Sequence, residues 1–154
     1  MKEEIMIRQA TMPDLDILLG FEQEIVKTER PFDPTLKPGR ISYYDIKAMI
    51  TEPEVRVMVA ETEGKIIASG YVRIQKAEPY LSHVSFGLLG FMYVIPEYRG
   101  RGINSRIIES LTAWTKEQGI TEIRLDVYFK NLAAMKAYEK IGFVPHMLEM
   151  RRER

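Results

Sequence analysis

Apolar and polar residues switch between two spacings along the chain, and the switches lay out its elements. Ile5 to Gln9 alternates and predicts a short first strand. Thr11-Met12-Pro13-Asp14 is a helix start: a capping threonine, a proline suited to the first turn, and an acid for the positive helix end. Leu15, Leu18, Leu19, Ile25 and Val26 then recur at helical spacing. Thr28 to Gly39 carries three prolines and a glycine and predicts a loop. Ser42, with Asp45 three residues on, predicts a short helix to Ile50, before Pro53. Val55–Ala60 and Lys65–Ile74 are rich in β-branched residues, and Glu63-Gly64 between them reads as a hairpin turn. His83 to Val94 predicts a further strand with glycines at 87 and 90. Gly102 to Gln118 predicts a helix with Ile103, Ile107, Leu111 and Trp114 on one face and Gly119 as its stop. Glu122–Val127 predicts a strand, Asn131–Ile141 a helix capped by Asn131 and stopped at Gly142, and Phe143–Met150 a last strand that Pro145 weakens. The order β-α-α-β-β-β-α-β-α-β implies a mixed α/β fold, one sheet with helices on both faces.

Composition narrows the classes. The chain has 154 residues, 45% of them hydrophobic and 29% charged, the size and make-up of one globular domain spanning 1–154. It has no cysteine, which excludes disulfides, thiolate metal sites and a cysteine nucleophile. Lys+Arg and Asp+Glu are both 22, so no basic excess points to nucleic acid. No apolar run reaches the ~20 residues that span a bilayer, and Met-Lys-Glu-Glu-Ile does not open a signal peptide. The expectation is a soluble cytoplasmic protein. Two histidines, 83 and 146, without a spaced carboxylate cluster argue against a metal site.

The stretch Arg99-Gly100-Arg101-Gly102-Ile103-Asn104-Ser105 follows a predicted strand and opens a predicted helix. The first amides of a helix lack intrahelical partners and sit at the positive end of its dipole. Glycines let an anion approach them, and two arginines stand beside the turn. A phosphate cradle fits this placement. A plain loop with arginines in water is the other reading. No Lys-Ser/Thr follows as in a P-loop, and Ser105 stands where a dinucleotide fingerprint needs glycine. Downstream, Tyr138 falls two turns after Asn131, and taken alone is a core tyrosine.

Together these stretches resemble the Gcn5-related N-acetyltransferases (GNAT). Arg99-Gly-Arg-Gly102-Ile-Asn104 is similar to that family's Gln/Arg-x-x-Gly-x-Gly/Ala motif, with Asn104 where Gly or Ala is usual. Leu125-Asp-Val, Asn131, Ala134, Tyr138, Gly142 and Phe143 resemble its downstream motif. The resemblance implies acetyl-CoA as co-substrate, bound between two splayed strands. Backbone groups of Met92, Tyr93 and Val94 would pair with the pantetheine arm, and Arg99, Gly100, Arg101, Gly102, Ile103, Asn104 and Ser105 would hold the pyrophosphate. Asn131 would meet the pantetheine or the acceptor side. Tyr138 would be the acid that protonates the leaving thiolate, and Asp126 would be the base or an exposed strand residue. Glu22, Glu29 and Asp33 fall where the family forms its acceptor site, or are solvated charges, and His83 would be a further base by titration range or, like His146, a structural or surface residue. Tyr43, Tyr44 and Tyr80 would line an acceptor pocket, or are packing. The implied activity is direct acetyl transfer to a primary amine, with a homodimer left open. A non-catalytic acyl-CoA-binding sensor or partner module of the same fold is the alternative.

Overall fold

The computed structural model describes residues 4–153. Its elements are β1 (Met6–Gln9), α1 (Leu15–Glu29), α2 (Ile46–Thr51), β2 (Val55–Thr62), β3 (Lys65–Lys76), β4 (Ser85–Val94), α3 (Ile103–Glu117), β5 (Ile123–Leu125) and α4 (Leu132–Lys140). The strands form one sheet in the order β1-β2-β3-β4-β5. The first three pairings are antiparallel, and β4 and β5 run parallel.

Local chemistry explains most boundaries. At the entry to α1 the Asp14 carboxylate accepts from the Thr11 N–H at 2.8 Å and from two nitrogens of Arg8 at 2.8 and 3.0 Å. The β2–β3 turn puts Glu63 at φ 49° and Gly64 at φ 75°, the paired left-handed geometry of a two-residue hairpin. The second helix starts at Asp45, whose side chain accepts from Ala48 N at 3.2 Å, later than the Ser42 start expected from sequence. The reason is tertiary: the Glu22 carboxylate takes the N–H groups of Tyr43 and Tyr44 and holds 42–44 out of the helix. The sixth strand expected over Phe143–Met150 does not form. Pro145 supplies no N–H there, and Val144 and Met147 stay 80% and 87% exposed, so no burial rewards pairing.

The two sheet faces carry different helices. On one, α3 lies over Gly70 and Gly87, with Ile107 and Thr115 where their Cβ atoms would be. Its Ile103, Ile107 and Leu111 are buried, as the helical stripe required. On the other, α1 meets the sheet through Phe21 against the Tyr93 ring, centroids 4.8 Å apart.

Candidate functional site

The site begins with a defect in β4. Ser69 pairs with Tyr93 and Tyr71 with Gly90, so Phe91 and Met92 together oppose Gly70 alone. This is a β-bulge, and Phe91 adopts φ 57°, unusual for a bulky residue. Three contacts hold it. The Phe91 carbonyl accepts from Ser69 Oγ at 3.0 Å, its N–H meets the Tyr44 hydroxyl, and its ring packs edge-on against Tyr44 at 5.5 Å. Gly90 leaves room for the Tyr71 ring, which would lie 2.3 Å from a Cβ there.

The bulge turns β4 away from β5. The two pair only from Gly87–Ile123 to Leu89–Leu125, and β4 continues to Val94 without that neighbour. Ile95 donates to Ile67 on the β3 side. Strand alternation therefore turns the backbone groups of Val94 and Met92 to the open edge. Tyr93 sends its backbone toward β3 and its ring onto Phe21. Of the three positions Met92, Tyr93 and Val94, the outer two face an edge with no strand beside it, and Tyr93 pairs with Ser69 on β3.

The edge leads through a 3-10 turn at Pro96–Tyr98 into Arg99–Ser105. Gly100 and Gly102 have φ of 78° and 75°, and nothing lies within 4 Å of a Cβ placed on either. Gly102 is the N-cap of α3 and supplies no side-chain cap. The first intrahelical bond at this end is Arg106 N to Gly102 O, so the amides of Ile103, Asn104 and Ser105 face outward without helix partners. The Ile103 side chain is buried and anchors the turn. The Arg99 and Arg101 side chains are exposed beside it, Arg101 lying over the Tyr98 ring at 4.7 Å. Open space, unpartnered amides and two guanidinium groups suit a diphosphate.

Across the opening lie the end of β5 and α4. Asn131 caps α4 by accepting from Ala134 N at 3.2 Å, which leaves its amide nitrogen to donate elsewhere. Tyr138 is half-buried, with Phe143 edge-on at 6.0 Å. Burial first, and the Glu29 charge second, push its hydroxyl pKa up, so it stays a proton donor. Asp126 is exposed just past β5, where its charge reaches the buried Tyr71 hydroxyl.

A second cluster forms at the end of α1. Glu29 is half-buried, and burial raises its carboxyl pKa while the Tyr43 hydroxyl opposes the rise. Asp33 is buried and accepts from Thr35 N at 3.0 Å, from Tyr128 Oη at 3.3 Å and from Arg151 Nη1 at 3.5 Å. Those bonds, led by the Thr35 hydroxyl, lower its pKa. Glu22, 1% exposed, is spent on the Tyr43 and Tyr44 amides. Sequence spacing singled out these acids and tyrosines but gave no sign that Tyr128 and Arg151 join them. Of the two readings of His83 the structural one holds: it lies before β4, at the end opposite Val94, against Glu122 and Arg124. Tyr80, expected in a pocket or in packing, is instead 82% exposed. Among the described residues no group of three His, Asp or Glu side chains could hold a metal ion, and no helix is long and apolar enough to cross a membrane.

Comparison with known proteins gives these features relatives. The model of the "Acetyltransferase (GNAT) family" matches residues 22–143. A Bacillus subtilis protein named as an uncharacterized N-acetyltransferase, YobR, is 42% identical over 60 residues, 39% of this chain and 24% of that protein. An N-alpha-acetyltransferase of Sulfurisphaera tokodaii is 28% identical over 148 residues, 92% of this chain and 81% of that protein. The crystal structure of a predicted acetyltransferase from Clostridium acetobutylicum with acetyl-CoA superposes with a TM-score of 0.75 at 22% identity, covering 96% of each chain.

Proposed function

Because the chain belongs to the GNAT acetyltransferase family, we propose that it transfers the acetyl group of acetyl-CoA directly to a primary amine. The observation that carries this reading is the continuity of the opened β4 edge with the bare N-terminus of α3. An extended amide-bearing arm laid along Met92–Val94 would end with its diphosphate at Gly100–Ser105. Arg99 and Arg101 would add charge there, and Asn131 would donate from the opposite wall.

The reaction needs a neutral amine, yet an alkyl ammonium has a pKa near ~10.4 and an α-ammonium near ~7.7–8.0. A base on the acceptor side must remove a proton. The nitrogen lone pair attacks the thioester carbonyl, and a backbone N–H of the β4 edge near Val94 supports the growing oxyanion. The C–S bond then breaks, and Tyr138, kept protonated by burial, returns a proton to the thiolate. Asp126, exposed at the mouth, is the base that the family pattern suggests.

The test is thermal. Acetyl-CoA at a hundredfold excess over Kd should add ~2.7 kcal/mol, a rise in Tm on the order of 5–10 °C for this size, while ATP and NAD should add little. CoA release with an amine panel then separates an enzyme from an acyl-CoA-binding module, which would shift Tm and release nothing. No shift with acetyl-CoA overturns both.

A further inference from the structure

We infer that Ser69 is a positioning residue for acetyl transfer: its hydroxyl sets the direction of the Phe91–Met92 peptide, so that the Met92 N–H meets the acetyl carbonyl. This rests on the acetyl-transfer reading and gives its oxyanion donor a name and a support on the neighbouring strand.

Ser69 stands where a hydroxyl is out of place. It is 0% exposed on the central strand of the sheet, between Ala68 and Gly70 and opposite Val59 of β2. A polar group in such surroundings costs stability unless it is bonded. The bond it makes is to β4, where Oγ donates to the Phe91 carbonyl at 3.0 Å.

That carbonyl belongs to the bulge. The register of β3 with β4 runs from Ser69–Tyr93 to Tyr71–Gly90 and skips Phe91 and Met92. Elsewhere in the strand the ladder sets the direction of each peptide, and inside the bulge a side chain does so. In a trans peptide the C=O of one residue and the N–H of the next point in opposite directions. With the Phe91 carbonyl held from β3, the Met92 N–H faces away from β3, toward the gap that β5 leaves. The pairing with β5 ends at Leu89, three residues earlier.

The direction is held against strain. Phe91 sits at φ 57°, a region that bulky side chains disfavour. Its buried ring lies edge-on to Tyr44 at 5.5 Å, and Tyr44 meets Tyr71 at 5.4 Å. The Tyr44 N–H is held in turn by the buried Glu22 carboxylate at 2.8 Å. Packing thus fixes the ring, and Ser69 fixes the peptide. Without the hydroxyl the ring stays, and the peptide relaxes toward the ordinary region and turns the Met92 N–H away. An oxyanion donor acts only where negative charge develops, whereas the arm and diphosphate bind elsewhere. The loss therefore falls on the rate and spares acetyl-CoA affinity.

The experiment uses a feature of the sequence: Phe91-Met92 is its one Phe-Met pair. Carbon-13 at the Phe carbonyls and nitrogen-15 at Met therefore isolate the Met92 amide in a carbonyl-filtered NMR spectrum. In the wild type, acetyl-CoA should move the Met92 proton downfield of its position with CoA, because only acetyl-CoA presents the carbonyl. In Ser69→Ala that difference should shrink to less than about half, with acetyl-CoA affinity by calorimetry within about threefold of wild type. With any amine that is turned over, kcat should fall about 10- to 100-fold, and Ser69→Cys, which keeps a weak donor, should recover part of it. Thr115→Val removes another fully buried hydroxyl, bonded to the Thr112 carbonyl at 2.8 Å, and should leave every readout unchanged. A wild-type Met92 proton that answers CoA and acetyl-CoA alike overturns the inference, and that measurement needs no variant to fold. An undiminished acetyl response in Ser69→Ala overturns it too, as does a kcat loss that Thr115→Val shares or that a loss of affinity matches. A wild type without an acetyl-CoA thermal shift fails earlier, at the acetyl-transfer reading.

Discussion

Arg99 donates from Nε to the Val94 carbonyl at 2.9 Å and lies over the Tyr93 ring at 5.7 Å. The arginine expected to meet phosphate is thus tied to the strand edge expected to meet the arm beside it. Its terminal nitrogens remain for an anion while Nε holds the edge. The glycine turn and the strand edge are therefore linked by one side chain.

Replacing Arg99 tests that link. Arg99→Ala should weaken acetyl-CoA by roughly 10- to 100-fold, the ~1.5–3 kcal/mol of a charged hydrogen bond. The rate at saturation should change little. Arg99→Lys should recover only part of the loss, because a single ammonium cannot hold a carbonyl and a phosphate in fork geometry. Calorimetric titration of each variant with acetyl-CoA reads the effect. Wild-type affinity in Arg99→Ala would remove the guanidinium from the site.

Two glycines should fail in opposite ways. A Cβ on Gly70 would lie 2.6 Å from Met92 Sδ and 2.8 Å from Ile107 Cγ2, so Gly70→Ala overpacks the α3 face. It should cost about 1–3 kcal/mol of stability. A Cβ on Gly102 meets nothing, but φ is 75°. Gly102→Ala should cost roughly 1–2 kcal/mol of backbone strain, and relief of that strain would turn the α3 amides. Urea unfolding should separate the first from wild type, and acetyl-CoA affinity the second. An unchanged affinity in Gly102→Ala would argue against an amide cradle.

Asp14 gives stability a pH signature. The two Arg8 bonds, helped by Thr11, pull its pKa down against a desolvation that would raise it. A carboxyl depressed in the folded state adds stability above its unfolded pKa of ~3.9 and loses it as pH falls through the folded value. Asp14→Asn should cost about 1–3 kcal/mol at neutral pH and should flatten the acid side of the stability curve. Urea midpoints between about pH 2 and about pH 6 measure it. Equal acid slopes in both proteins would mean other carboxylates carry the acid sensitivity.

What sequence made legible is local. The turn at Gly100–Gly102, the Asn131 cap and the Glu63-Gly64 hairpin each depend on residues a few positions apart, and each forms where spacing put it. The α2 start slipped because Glu22, some twenty residues upstream, captures the amides of Tyr43 and Tyr44. The bulge was hidden because Phe91 takes a conformation its side chain disfavours, held by Ser69 and Tyr44. The Phe143–Met150 strand misled because its apolar residues find no surface to cover. The cluster at the end of α1 needed the fold, since Glu29, Tyr43, Tyr128 and Arg151 come to it from four separate segments.

Tyr138 offers the cleanest separation of chemistry from binding. Its ring packs edge-on against Phe143 at 6.0 Å, and Tyr138→Phe keeps that volume, so stability should barely move. Without the hydroxyl the thiolate loses its donor, and kcat should fall by about 10²- to 10³-fold with acetyl-CoA affinity unchanged. Burial and the Glu29 charge both raise the hydroxyl's pKa, so the proton stays on through the alkaline range. Wild-type kcat should therefore show no decline as pH passes the ordinary tyrosine value of ~10. A decline there that is absent from Tyr138→Phe would show the hydroxyl ionising early, against the burial that the structure gives it. A Tyr138→Phe enzyme with wild-type kcat would leave the thiolate to take its proton from water.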